Sequence, residues 1–181
     1  DIVKMDVQSL SWTGGGEPTQ NPHLKEAIQF IKKNSNIEMG MFTNGTLLKR
    51  FNLFSTIVDS FSWVRVSIDA GSAKTYNDLR VTNDKNNFDV MLSNVKELIK
   101  TKKEKKSKIF IGVGFVVTKD NYNEVVDFAK LLPAVEQNSD LSLQGHAGLW
   151  NGCFTSSVQK PFGTDFVAGS AMCWPMTKLM S

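Results

Sequence analysis

The chain has 181 residues, of which 41% are hydrophobic and 22% charged, with a formal net charge of +3. That is enough for one domain with a core, and too little charge to imply a nucleic-acid partner. No apolar run is long enough to span a membrane and no secretory leader stands out. The two cysteines, Cys153 and Cys173, cannot build a disulfide framework and are expected to be reduced thiols in the cytoplasm.

The chain opens at Asp1 and leads at once into a strand, so it is expected to start inside a domain, as a fragment of something longer. Asp6 to Trp12 alternates apolar and polar residues, as a half-buried strand does. Thr13-Gly14-Gly15-Gly16-Glu17-Pro18 follows. Three glycines let the backbone approach a bound molecule closely, Glu17 places a carboxylate at the mouth of the turn, and Pro18 stiffens its exit. Such a turn suits a ligand bearing a cation. Taken alone it also suits an ordinary strand-to-helix loop.

Asn21 and Pro22 are expected to open a helix whose apolar stripe is Leu24, Ala27, Ile28 and Ile31. Residues 37–42 read as a second strand ending in the turn Thr43-Asn44-Gly45. A helical stripe then runs from Leu47 to Val58. Residues 63–68 form a third strand, with Val64, Val66 and Ile68 on one face and Arg65, Ser67 and Asp69 on the other. Ser72 to Arg80 is a short helix, and Asp89 is expected to cap a longer one. Residues 109–117 are almost wholly apolar, as in a parallel strand covered on both faces. Asn121 and Glu124 are expected to form a capping pair.

Strands alternating with helices predict βα units around a parallel sheet. Four units do not close a barrel of eight, so the fold class is α/β with a partial parallel barrel. The loops after the strands share one rim, where such folds place their sites. Residues 1–138 form the expected barrel core. Residues 139–181 carry no periodic stripe and are expected to be a separate remainder, with a strand possible only near Leu141–Leu143.

The order TGGGEPT, FTNGTLL, VRVSIDAGSAKTYNDLR and IGVGFVVTKDN resembles the radical S-adenosylmethionine superfamily over residues 7–132, with its first βα unit missing. The resemblance implies that Gly15, Gly16 and Glu17 meet the amino group of S-adenosylmethionine, with Pro18 shaping the turn. Ser67 and Asp69 would stand beside the ribose and carboxylate, and Arg80 would pair with the carboxylate. Gly112 and Gly114 would let the adenine pack on the backbone. Without the resemblance, Ser67 and Asp69 suit a helix cap or a solvated strand end, Arg80 a surface ion pair, and the glycines close strand–helix packing. Thr43 and Asn44 read as turn residues.

The resemblance also implies a 4Fe-4S cluster that cleaves the cofactor to a 5′-deoxyadenosyl radical. Its three-cysteine motif does not occur in this sequence, so its ligands are expected upstream and the chain as given is expected to be inactive. No residue is assigned a catalytic or metal-binding role, and His23 and His146 lack partners at ligand spacing. The implied partners are a small-molecule or peptide substrate and an electron donor for the cluster. The other reading is a non-catalytic domain that binds a nucleotide or a partner through the same rim. Six lysines between Lys100 and Lys108 belong to a solvated helix end on the opposite rim.

Overall fold

In the computed structural model, residues 2–5, 7–80, 84–131, 143–147 and 154–158 are described. The elements are β1 (Ser9–Trp12), α1 (Leu24–Asn34), β2 (Glu38–Thr43), α2 (Phe54–Ser60), β3 (Trp63–Ser67), α3 (Ala73–Arg80), α4 (Asn87–Glu104), β4 (Phe110–Val117), α5 (Val125–Leu131), β5 (Leu143–Ala147) and β6 (Phe154–Val158). Together the strands make one sheet in the order β1-β2-β3-β4-β5-β6. All neighbours from β1 to β5 are parallel, and only β6 runs antiparallel to β5. The sheet is open, with β1 and β6 at its ends. This is the α/β partial barrel expected from the strand–helix alternation. It also continues past residue 138, because β5 pairs with β4.

The period-two pattern of the strands decides what each face meets. Met39, Met41, Val64, Val66, Ile111, Val113 and Phe115 are buried in one apolar cluster with Leu24, Ile28, Ile57, Met91, Leu98 and Phe128 from the helices. Each fully buried aliphatic side chain in it contributes about 1.5–3 kcal/mol. The alternate positions turn to the other face. Register aligns Gly40 with Trp63 and Phe110, Phe42 with Arg65 and Gly112, and Ser67 with Gly114. β4 is buried at five consecutive positions, Ile111 to Phe115, which fits its unbroken apolar sequence.

Several local expectations change. Asn21 does not cap α1: its side chain accepts from the His23 N–H, and α1 starts at Leu24. Glu17 instead caps the 3-10 turn Pro18–Gln20 by accepting from the Thr19 N–H. Only the second part of the expected helical stripe from Leu47 to Val58 is helix: residues 46–52 form turns, Asn52 takes a left-handed φ of 49°, and α2 starts at Phe54. Asp89 lies inside the first turn of α4, two residues beyond its start at Asn87. Lys100, Lys102 and Lys103 lie in the last turns of α4 and Lys105, Lys106 and Lys108 follow it, ahead of β4; Lys105 pairs with Asp59 at 2.6 Å. Cys153 and Cys173 fall outside the described residues.

Candidate functional site

Parallel strands deliver their C-terminal ends to one rim. The turns after β1, β2, β3 and β4 therefore lie side by side, and with them Gly15, Gly16, Glu17, Pro18, Asp69 and Asn121. A Cβ built on Gly14, Gly15 or Gly16 would meet nothing within 4 Å, so the glycine turn borders open space. A cleft of about 400 Å³ between α1 and α2, lined by Lys25, Gln29 and Asp59 among others, is on the outer helical side and away from this rim.

Glu17 is the first organising group. Its Oε1 accepts from the Thr19 N–H at 3.2 Å, the Thr19 hydroxyl at 2.7 Å and the Thr43 hydroxyl at 2.6 Å; its Oε2 accepts from the Asn44 N–H at 2.6 Å. The carboxylate thus ties the turn after β1 to the turn after β2. Asn44 uses its side-chain oxygen to accept from the Thr46 N–H and hydroxyl, a local turn bond. Gly45 has a left-handed φ of 75°, and a Cβ there would sit 2.9 Å from Val66 Cγ1, so both backbone and space require glycine. Behind the turn, buried Asn94 of α4 donates to the Gly45 and Thr46 carbonyls at 2.7 and 3.1 Å.

Asp69 is the second. It stands in the left-handed region, φ 61°, a conformation that aspartate tolerates better than most residues. Its Oδ2 accepts from Arg80 Nη2 at 2.7 Å and its Oδ1 from the Val116 N–H at 2.8 Å. Arg80 Nη2 also donates to the Ser67 carbonyl at 2.9 Å. Asn121 is fully buried. It donates to the Asp69 and Val116 carbonyls and accepts from the Thr118 N–H. The expected Asn121–Glu124 capping pair is therefore replaced: Asn121 makes no side-chain cap bond, because its side-chain oxygen is taken by the Thr118 N–H. Glu124 crosses to α3, accepting from the Gly71 N–H, the Ser72 hydroxyl and the Thr75 hydroxyl at 2.6–2.8 Å. Burial works to raise its pKa, but these hydrogen bonds outweigh it and hold the carboxyl below its ordinary value.

Between these groups lies the face away from the main core. Ser67 is half-buried at the end of β3, beside Gly114 in register. Arg65 points over the Phe42 ring, 5.6 Å from its centroid, and Phe42 meets Trp63 edge-on at 4.8 Å. A Cβ on Gly114 would stand 2.8 Å from Arg65 Nε, so glycine at that position admits the Arg65 side chain. Burial lowers the Arg65 pKa, while Asp69 acts to raise it.

Tyr76 of α3 is buried, with Arg80 over its ring at 5.2 Å and Phe88 at 5.4 Å. Burial pushes its phenol up; Arg80 opposes this, and Asp69 and Glu17 add to it. Sequence reasoning missed Asn94, Tyr76 and the long-range role of Glu124. The signal available was a set of Ser, Thr and Asn residues at every strand end, with no way to tell which carboxylate each would meet.

Among the described residues no group of three or more His, Cys, Asp or Glu could hold a metal ion, and no described helix is long and apolar enough to cross a membrane. The described residues therefore hold no ligand set for an iron–sulfur cluster.

Two proteins are similar in sequence. One, named GTPase Obg, from Brachyspira hyodysenteriae, is 30% identical over 92 residues, 51% of this chain and 13% of that protein. The other, named tungsten-containing aldehyde ferredoxin oxidoreductase cofactor-modifying protein, from Pyrococcus furiosus, is 30% identical over 138 residues, 73% of this chain and 36% of that protein. The chain thus spans well under half the length of either relative. The family model described as Radical SAM superfamily matches residues 2–129, the stretch that carries both carboxylate networks and the strands that present them. On that match, together with an open parallel sheet whose rim is built from these turns, the chain belongs to the Radical SAM superfamily.

Proposed function

We propose that this chain holds S-adenosylmethionine for an enzyme that cleaves it reductively and removes hydrogen from a substrate. The observation that carries the reading is the open glycine turn with Glu17 fixed beside it, on the same rim as the Asp69–Arg80 pair. Gly15, Gly16, Glu17 and Pro18 take the ammonium end. Glu17 already accepts four hydrogen bonds from the protein, so it contributes chiefly its negative charge, and carbonyl oxygens of the turn complete the ammonium's bonds. Ser67 and Asp69 serve the ribose, Arg80 the carboxylate, and Gly112 and Gly114 the adenine side.

The cluster, when bound in such enzymes, supplies the electron that breaks the cofactor's carbon–sulfur bond. Its ligands are not among the described residues, and we assign them to protein outside this sequence. The chain alone is then a cofactor cradle without activity. We place the reaction in the cytoplasm, where thiolates stay reduced, with a low-potential electron donor as partner and a small molecule or peptide as substrate.

The test uses the full-length protein containing this chain, reconstituted with iron and sulfide under anaerobic conditions and reduced with dithionite. Formation of 5′-deoxyadenosine from S-adenosylmethionine is expected. Binding of S-adenosylmethionine without any cleavage would favour a non-catalytic nucleotide-binding domain, and failure to bind it would refute the proposal.

A further inference from the structure

The two faces of the sheet are not equally covered. Met41, Val64 and Val66 are fully buried against the helices, whereas Phe42, Trp63, Arg65 and Ser67, which alternate with them, are half-buried on the opposite face. Arg65 places a cation on that face, and two contacts show where its side chain goes. Its register partner on β4 is Gly112, yet its Nε and Nη2 stand 2.8 and 2.9 Å from the place a Cβ would take on Gly114. The side chain therefore runs along the sheet toward the C-terminal rim and reaches the level of Ser67 and Gly114, the last pair of that ladder. On its other flank the guanidinium lies over the Phe42 ring, 5.6 Å from the centroid. Asp69, an acid whose field reaches it, gives its carboxylate oxygens to Arg80 and the Val116 N–H.

We propose that Arg65 is a specificity-determining residue whose guanidinium receives a carboxylate of the substrate on the open face of the sheet, just inside the rim. This rests on the cofactor reading above and names a substrate class for it. S-adenosylmethionine carries one carboxylate, which that reading gives to Arg80, and its ammonium and sulfonium are cations. A second guanidinium in the same site is matched by an anion that the cofactor does not supply. A guanidinium has several N–H donors in a planar fork, so it serves a neighbour in the protein and a carboxylate together. On a half-buried face that pairing is stronger than at an open surface. Phe42 and Trp63, edge to face at 4.8 Å, set an apolar wall beside the charge, which suits a carboxylate carried on a flat or apolar group.

The test titrates the full-length protein by ligand-detected NMR with two probes of one shape, benzoate and benzamide, while S-adenosylhomocysteine at saturation fills the cofactor's place. Benzoate is expected to bind about tenfold more tightly than benzamide, the size of one charge-assisted contact. Arg65→Gln should abolish that preference and leave affinity for S-adenosylhomocysteine unchanged. Arg65→Lys, which keeps the charge and loses the fork, should retain only part of it. Equal affinity for the two probes in the unsubstituted protein, or a preference that survives Arg65→Gln, overturns the proposal. So does a loss of S-adenosylhomocysteine affinity in Arg65→Gln as large as the loss for benzoate, because Arg65 then belongs to the cofactor's own site. If Arg65→Gln does not fold, Arg65→Lys decides: an undiminished preference for benzoate overturns the proposal and a reduced one supports it. Failure of the unsubstituted protein to bind S-adenosylhomocysteine refutes the cofactor reading, and the same titration without it still shows whether a carboxylate depends on Arg65.

Discussion

The two halves of the rim are held by carboxylates in different company. Glu17 joins the turns after β1 and β2 using only neutral donors: two threonine hydroxyls and two backbone N–H groups. Asp69 joins the ends of β3 and β4 while facing a cation, Arg80, at 2.7 Å. The fields of the two networks differ. The Glu17 carboxyl is met by oriented dipoles, whereas Asp69 is paired with the Arg80 guanidinium. A ligand with a cationic end and polar neutral groups has one favoured orientation on such a rim, with its cation at the glycine turn.

The sharpest way to break this comparison is Asp69→Ala. It leaves Arg80 without its carboxylate in a place where their side chains are only 25% and 21% exposed, unpairs the Val116 N–H, and puts alanine in a left-handed conformation. A loss of about 2–4 kcal/mol is expected by urea unfolding. Adding Arg80→Ala should restore part of it, because the stranded charge goes too. Strict additivity of the two substitutions would mean that the pair does not hold this half together.

Glu17→Ala should cost less, about 2 kcal/mol. It removes several bonds to one charged acceptor but strands only neutral donors at a partly exposed site. Glu17→Gln is the finer probe. It keeps the shape and loses the charge, so a drop in affinity for S-adenosylmethionine larger than the drop in stability would show that the field matters beyond the hydrogen bonds. A variant that loses stability while binding normally would remove Glu17 from the ligand's surroundings.

Glu124 gives a smaller effect with a definite pH signature. Its folded pKa is lowered, so its contribution is fully present above the unfolded value of about 4.3 and is lost as pH falls through the lowered folded value. The stability gap between the unsubstituted protein and Glu124→Gln should be constant near neutrality and narrow as the solution is acidified below about pH 4.3. A gap that persists unchanged in acid would mean that the bonds to Gly71, Ser72 and Thr75 are not made by a carboxylate.

The fold was readable because its cause is local. The alternation in residues 63–68 and the apolar run in residues 109–117 express directly which faces are covered, and both strands form where that pattern lies. The networks were not readable, because their partners are chosen by the sheet. Asn121 and Glu124 have the spacing of a helix cap, yet Glu124 finds its donors about fifty residues away, around Gly71 and Thr75. Asn94 has a plain helical sequence around it and is fixed by a turn forty-nine residues upstream. The late start of α2 was equally hidden, since the apolar stripe begins at Leu47 while residues 46–52 form turns and Asn52 takes a left-handed backbone before the helix starts at Phe54.

The smallest expected change in stability belongs to Gly16→Ala, and it separates structure from binding most cleanly. A Cβ at Gly16 meets nothing within 4 Å and its φ lies outside the left-handed region, so neither crowding nor backbone strain opposes alanine. Its effect on unfolding should stay within about 0.5 kcal/mol, in contrast to Gly114→Ala, where the new methyl group would be driven against Arg65. Displacing that flexible side chain costs about 1 kcal/mol. If the ligand lies against the backbone of the glycine turn, the same methyl group at Gly16 stands in its way, and affinity for S-adenosylmethionine should fall about tenfold although the fold is untouched. A Gly16→Ala protein that is both as stable and as tightly bound as the unsubstituted one would mean that the open space at the turn is not where the ligand sits. The negative half of the rim would then need another occupant.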